Sequence, residues 1–581
     1  MLPDKIQVES LDIAHLALVR HVIEHLGIYE ALAEAMPMDP RSVVSDADCL
    51  SAMVLNILSG HRVALYRMDS WLRAWDVDTL LGEDCPAEAF SDVRLGKALD
   101  HVSTFGVDNL MSAVVRRWLD RTDFGPAWTV RLDTTSLSLY GAYDEQGVVL
   151  TAPTPRRGHS KDHRPDLKQL VFGLSIVAGV QMPLCAAMRD GNTSEHKVNN
   201  DQISLLADLL PSEDSITLVA DSKLVDKGTM GHLLDEGFHF LSRLPRTYSL
   251  HAELVDRLGD DVPIGILREL PPDPGGSAPH HATGVSFDIE LPVVHPRHGT
   301  QMAALRCLVV QSPRLAKQAK AKTARTLNKA LDALEKKLRA GEKRSFKCEH
   351  DALDFAEKLM SSGGLYEVVV GVERREKTKH RGRGRPKRGA KPEVIVTWQV
   401  VAGVITVNAA EVDRREHHAS HFVLLTDHLD REIWPDSRLF ELYRSQHEIE
   451  GHCGFRWLKG PAAMTPMFLK RPERIAAMGV VFMLALMVRN FIQWMVRQQL
   501  AATDTTVPYY GDHHDTAIPT AEVIWNLFRS VRVQVLRSGG HSRRQLIGVT
   551  DEVRRVLAIF GLDPNDLLIP RHQGLRWLDG S

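Results

Sequence analysis

Glu450 lies in the segment 443–460, YRSQHEIEGHCGFRWLKG, among a tyrosine, two histidines, two arginines and a lysine. An apolar run before it, Phe422 to Leu425, reads as a strand. A carboxylate among cations after a strand suits a metal-dependent site that acts on phosphates. One carboxylate cannot make such a site, so partners must come from elsewhere in the chain. Two apolar strands each end in an aspartate, TVRLD at Asp133 and ITLVAD at Asp221. In α/β sheets, polar groups just past strand ends gather at the ligand-binding crevice. Three carboxylates can hold two divalent cations, which activate an oxygen nucleophile and stabilise the leaving oxygen in phosphoryl transfer. Their oxygens suit Mg2+, with Mn2+ as the alternative. Singly, a strand-end aspartate is more often a cap and a helical glutamate is usually solvated. Together the three form one plan.

Glu448 competes with Glu450 for the third place. Two positions on a helix differ by about 200°, so only one of them can face the metals. Tyr443 lies seven residues before Glu450, nearly in register on one helical face, which favours Glu450. Asp427 also ends an apolar strand, FVLLTD, and reads as a capping or turn residue.

The elements around these residues set the expected organisation. Residues 1–120 read as a helical domain: Leu50, Met53, Val54, Ile57 and Leu58 share a helical face, and Ser91 with Asp92 can cap a helix over 93–102. A first part of an α/β core spans 127–245, with strands over 170–179 and 183–191 beside those of Asp133 and Asp221. From 246 to 416 short β-type runs recur at 285–294, 302–310, 364–372 and 394–407, around a basic helical stretch, 313–345. That block reads as an insertion rather than a continuation of the first sheet. The core resumes over 417–500. A helical tail, 501–581, is expected to hold amphipathic helices at about 520–536 and 549–560.

Composition narrows the class. The chain has 581 residues, enough for several domains, and a net charge of -3, so any nucleic-acid contact must come from local basic patches. Two tracts offer such charge, 313–345 and KTKHRGRGRPKRGAK at 377–391, the second expected to be extended from its Gly and Pro content. Six scattered cysteines without a C-x-x-C pair argue against a disulfide framework and fit a reducing cytoplasm. No basic-then-apolar leader opens the chain. The strongest apolar run, Ile475 to Val488, is too short to span a bilayer and reads as a buried helix, so no membrane partner is expected. No GxxxxGK[ST] loop is present, so no nucleotide cofactor is expected.

At this point the chain resembles a family. LDTTSLSLYG at 132–141, GHSKDHRPDLKQLVFGL at 158–174, GNTSEHKV at 191–198, LVADSKL at 218–224 and the 443–461 segment with MFLKRPERIAAM resemble the motifs of DDE transposases of bacterial insertion sequences. The subgroup is the insertion-sequence-4 superfamily, with its Tyr-Arg-Glu-Lys signature, and LGKALDHV resembles the helical domain of one of its branches. The resemblance implies an RNase H-like mixed-sheet core interrupted by a β-rich insertion domain. It implies Asp133, Asp221 and Glu450 as catalytic metal ligands and Tyr443 as a phosphate contact. The family arginine position holds Gln446 here, with Arg444 adjacent, and the family lysine position holds Trp457, with Lys459 two residues later. Arg456 and Lys459 are candidate DNA contacts, as are Lys161, Arg164 and Lys168 after the first strand. Expected partners are DNA, as terminal inverted repeats and target, and a second copy of the chain on paired ends, in the bacterial cytoplasm at the nucleoid. The alternatives are an inactive DNA-binding derivative and a nuclease that cleaves without strand transfer.

Overall fold

The computed structural model describes residues 7–121, 127–141, 143, 152–210, 215–258, 262–270, 280–361, 364–379, 391–446, 449, 454–460, 469–509, 514–538 and 541–569. Its strands of five residues or more, in chain order, are β1 (Gln7–Asp12), β2 (Ala127–Leu139), β3 (Lys168–Val177), β4 (Pro183–Asp190), β5 (Ser215–Ala220), β6 (His239–Arg243), β7 (Gly265–Leu270), β8 (His280–His295), β9 (Gly299–Gln311), β10 (Tyr366–Lys379), β11 (Glu393–Val407), β12 (His421–Thr426), β13 (Arg532–Ser538) and β14 (His541–Ile547).

Nine strands make one mixed sheet in the order β4-β3-β2-β5-β6-β12-β9-β8-β7. Its first half is an antiparallel meander, β2 to β3 to β4, followed by β5 parallel to β2 and β6 parallel to β5. The protein is thus mixed α/β, built around one large mixed sheet. Helices Glu195–Leu209 and Lys227–Asp235 make the crossovers that parallel pairing requires. β3 is buried along nearly its whole length, as an apolar strand covered on both faces should be.

The 246–416 block divides in two. Contrary to expectation, its first half continues the main sheet, because β12 returns to lie between β6 and β9 and carries β8 and β7 with it. The second half has its own small core. Helix Pro313–Glu342 buries Leu334 and Leu338 against Ala356, Leu359 and Val368 of helix Glu349–Ser361 and the β10–β11 hairpin. That hairpin carries ordered pairing as far as Lys379 with Glu393, so the start of the second basic tract is strand; 380–390 lies outside the described residues.

Helix Pro472–Thr503 is the spine of the molecule. Among the described residues, one helix is long and apolar enough to cross a membrane, but its most apolar stretch is entirely buried, packing against helices Asp46–Leu58 and Asp92–Phe105 and against β4. Apart from β1, the described N-terminal residues are mainly helical. Ser91 caps Asp92–Phe105, and Ser45 with Asp48 forms a capping box on Asp46–Leu58. Two strands modify the picture of helical ends. β13 occupies the second half of the helix expected at 520–536, and it pairs with both β14 and the N-terminal β1. The helix expected at 549–560 forms over Asp551–Ile559.

Candidate active site

Asp133 and Asp221 belong to neighbouring parallel strands. The β2–β5 ladder pairs Arg131 with Val219; Asp133 stands two residues further along β2, and Asp221 follows the last residue of β5. Adjacent strands lie roughly 4.8 Å apart, so Asp133 and Asp221 come from neighbouring positions at the ends of a parallel pair. Backbone N–H groups aim both acids: Thr134 donates to Asp133 Oδ1 at 2.7 Å and Lys223 to Asp221 Oδ1 at 2.9 Å. Asp221 caps the short turn Ser222–Leu224, and the Ser242 hydroxyl from β6 donates to its carbonyl at 2.6 Å.

A third carboxylate joins them, one that spacing did not single out. Glu195 opens the helix Glu195–Leu209 and accepts from the Thr134 hydroxyl at 3.2 Å. Lys161 reaches in from the 156–167 loop, its Nζ at 2.7 Å from Glu195 Oε1 and 3.7 Å from Asp133 Oδ1. It also donates to the Thr134 carbonyl at 2.7 Å. The loop is clamped to the sheet by the Arg156–Gln169 backbone pair and by Ser136, which accepts from the Lys161 N–H. Glycines make that close approach feasible. A Cβ on Gly191 would sit 2.0 Å from the Gln169 carbonyl oxygen, and one on Gly158 2.2 Å from that of Gly191. A cleft of about 270 Å³ opens beside Lys161, lined by Ser136, His159, Glu195, His196 and Lys223.

The electrostatics follow from crowding like charges. Burial pushes the Asp221 carboxyl above its ordinary range; the Lys223 N–H opposes this, and the charge of Glu195 adds to it. Burial works against the charged Lys161, but Asp133, Glu195 and Asp221 outweigh it and raise its pKa. Burial likewise works against the Glu195 anion, and the hydrogen bond and charge of Lys161 hold its pKa below the usual range. Unit charges about 4 Å apart interact by roughly 4 kcal/mol at an effective dielectric near 20. The acids therefore need a cation among them, and in this structure the Lys161 ammonium fills that place. Hard carboxylate oxygens around a cation fit a divalent ion. Among the described residues, no three acids, histidines or cysteines cluster closely enough to hold one.

Glu450 and Glu448 lie outside the described residues, but the chain on both sides of them is anchored near Asp133. On the N-terminal side, buried Arg131 donates to Ser445 Oγ at 2.6 Å; Ile449, between the two glutamates, is buried in the main core. On the C-terminal side, Phe455 packs edge-on against Phe172 of β3, and Lys459 ion-pairs with Asp162 of the loop that carries Lys161. Helix Asp436–Arg444, which carries Tyr443, ends at Ser445, so the seven-residue step from Tyr443 to Glu450 does not follow one helix. Tyr443 is half-buried against Phe422, Arg444 is exposed near Glu441, and Gln446 is buried. Arg456 is exposed. Arg164 lies flat on the surface in a two-pronged pair with Asp166, and Lys168 donates to the Tyr143 carbonyl. Asp427 is structural, accepting from the Phe240 N–H and pairing with His239.

Residues 7–116 match a family described as a domain of unknown function, DUF4277. That match covers the N-terminal strand and helices and stops short of β2. None of the curated proteins matches the chain. Among solved structures, the chain has a weak likeness to the piggyBac transposase synaptic complex with hairpin DNA: 9% identity over 52% of this chain and 63% of that one, with a TM-score of 0.26.

Proposed function

We propose that this protein is a DDE-type transposase that cuts DNA at the ends of an insertion sequence and joins the freed 3′ end to target DNA. What supports the reading is Asp133 on β2 next to Asp221 just after the parallel β5, with Ser445 bonded to β2 and Phe455 packed on β3 on either side of Glu450. Glu450 would complete the ligand set with Asp133 and Asp221, and Mg2+ or Mn2+ is the ion those oxygens suit. When bound, such ions would polarise the scissile phosphodiester and lower the pKa of the attacking oxygen. The residues of the chain orient and exclude: backbone N–H groups fix the carboxylate directions, and Thr134, Glu195 and Lys223 line the cleft. Water would release a 3′-hydroxyl, and that hydroxyl would attack target DNA in a transesterification that needs no nucleotide. A homodimer on paired terminal repeats belongs to the same proposal.

A strand-transfer assay tests it, using pre-cut ends taken from the inverted repeats that bracket the gene, with Mg2+. Joined product is expected from the native protein and should drop below detection in Asp133→Ala, Asp221→Ala and Glu450→Ala, with binding to the ends retained. Cleavage without joining would identify a nuclease instead. Binding alone would identify an inactive derivative.

A further inference from the structure

We propose that the loop 59–67, in the N-terminal region, binds the phosphate backbone of duplex DNA through the guanidinium groups of Arg62 and Arg67. The inference rests on the reading of the protein as one that acts on DNA, and it adds a contact surface outside the carboxylate site. Both side chains are supported on one face by a ring. The Arg62 guanidinium lies 5.1 Å over the ring of Phe482, a fully buried residue of the spine helix. Arg67 lies 5.5 Å from the ring centroid of Tyr66, which is itself 64% exposed. Among the described residues, neither guanidinium makes an ion pair or donates a hydrogen bond, and no acid stands in the sequence from 49 to 68. Burial lowers the Arg62 pKa, and no neighbouring carboxylate offsets it. A guanidinium stacked by its face keeps its N–H fork at the edge, where it can take two phosphate oxygens at once.

The loop is fixed in the shape that presents them. Gly60 turns the chain out of helix Asp46–Leu58 with φ 80°. The side-chain amide of buried Asn56 donates to the Val63 carbonyl and accepts from the Val63 N–H, each at 2.9 Å, and so holds the residue next to Arg62. The Ser59 hydroxyl donates to the Asn56 carbonyl at 2.9 Å and accepts from the His61 N–H at 3.2 Å. Leu65–Arg67 form a single 3-10 turn. By chain length the Arg62 and Arg67 Cα atoms lie at most about 18 Å apart, roughly five nucleotide steps of about 3.4 Å along one strand. Tyr66, between them, brings a hydroxyl donor of the kind that DNA backbones accept.

Anisotropy of a fluorescent duplex carrying the terminal repeat, titrated with full-length protein across a salt series, tests the contact. Arg67→Gln, a change at an exposed position, is expected to keep the native thermal midpoint and lower the slope of log affinity against log salt by about 1. Adding Arg62→Met, whose unbranched side chain can still cover Phe482, should lower the slope by about 2 in all and weaken binding by about tenfold or more. The losses should be the same on a duplex of unrelated sequence, because phosphate contacts do not read bases. If the native protein binds duplex and both variants keep its slope, the loop is not a contact and the DNA reading stands. If the native protein binds no duplex, the DNA reading fails and the loop proposal falls with it. If poly-glutamate binds the native protein as tightly as duplex does, and the variants weaken both equally, the loop is a site for acidic protein and the proposal is wrong.

Discussion

Ser445 shows how a residue outside the reacting set can govern it. Its hydroxyl accepts the Arg131 guanidinium two residues before Asp133, and so pins the segment leading to Glu450 onto the strand that carries the first aspartate. A hydrogen bond to a charged group contributes about 1.5–3 kcal/mol. Ser445→Ala is expected to lower strand-transfer rate by about tenfold or more while end binding, read by gel shift in parallel, stays within twofold. Equal losses in both would mean that Ser445 supports the fold in general rather than the site. At this scale the sequence was uneven in what it disclosed. Asp133 and Asp221 were legible because an acid that ends an apolar strand interrupts a pattern. Glu195 was not, because an acid in the first turn of a helix is also what the helix dipole favours, so its type and position carry no extra signal. Lys161 was visible as a charge, but only the folded loop shows that it points at carboxylates instead of solvent.

Among the elements, helix Pro313–Glu342 makes the clearest claim. Arg314, Lys317, Lys322, Arg325 and Lys329 are all exposed, with no acid from 313 to 331. At about 100° per residue they fall within an arc of roughly 140°, opposite the face that buries Ala319, Thr323, Leu334 and Leu338. In the proposed transposase, such a stripe would neutralise duplex phosphates. The double variant Arg325→Glu, Lys329→Glu should weaken end binding and lower the slope of log affinity against log salt by about 2. An unchanged slope would take this helix off the DNA. The elements also explain where periodicity misled. The run 531–535 alternates Val531, Val533 and Val535, a period of two with β-branched residues, and it folds as β13 although helical signals precede it. The insertion strands looked separate because their partner in the main sheet, β12, comes more than a hundred residues later, and local pattern carries no record of pairing over that distance.

Across the whole molecule, the N-terminal helices, the spine helix and the tail share one core. His15 marks that union. It is buried, bonded to the Leu58 carbonyl at 2.7 Å and stacked on Trp525 from the tail with ring centroids 4.5 Å apart. Burial lowers its pKa from 6.5 to about 4. The unfolded chain therefore takes up a proton below about pH 6.5 that the folded chain refuses. The contribution of neutral His15 is complete above that pH and is lost as pH falls towards 4, by up to about 3 kcal/mol. His15→Phe, which keeps a ring against Trp525, should flatten the fall in thermal midpoint between pH 6.5 and 4. Parallel pH curves for the two proteins would show that other groups control acid lability.

The pairing of β1 with β13 also sets a clock. Gln7 lies opposite Arg537 and Asp12 opposite Arg532, partners 520 to 530 residues later in the chain. At translation rates of about 5–20 residues per second, the first strand waits from about half a minute to nearly two minutes for its neighbour to be made. Over that interval β1 is an open edge on a growing polypeptide, and the sheet joining head to tail is among the last parts of the molecule to close.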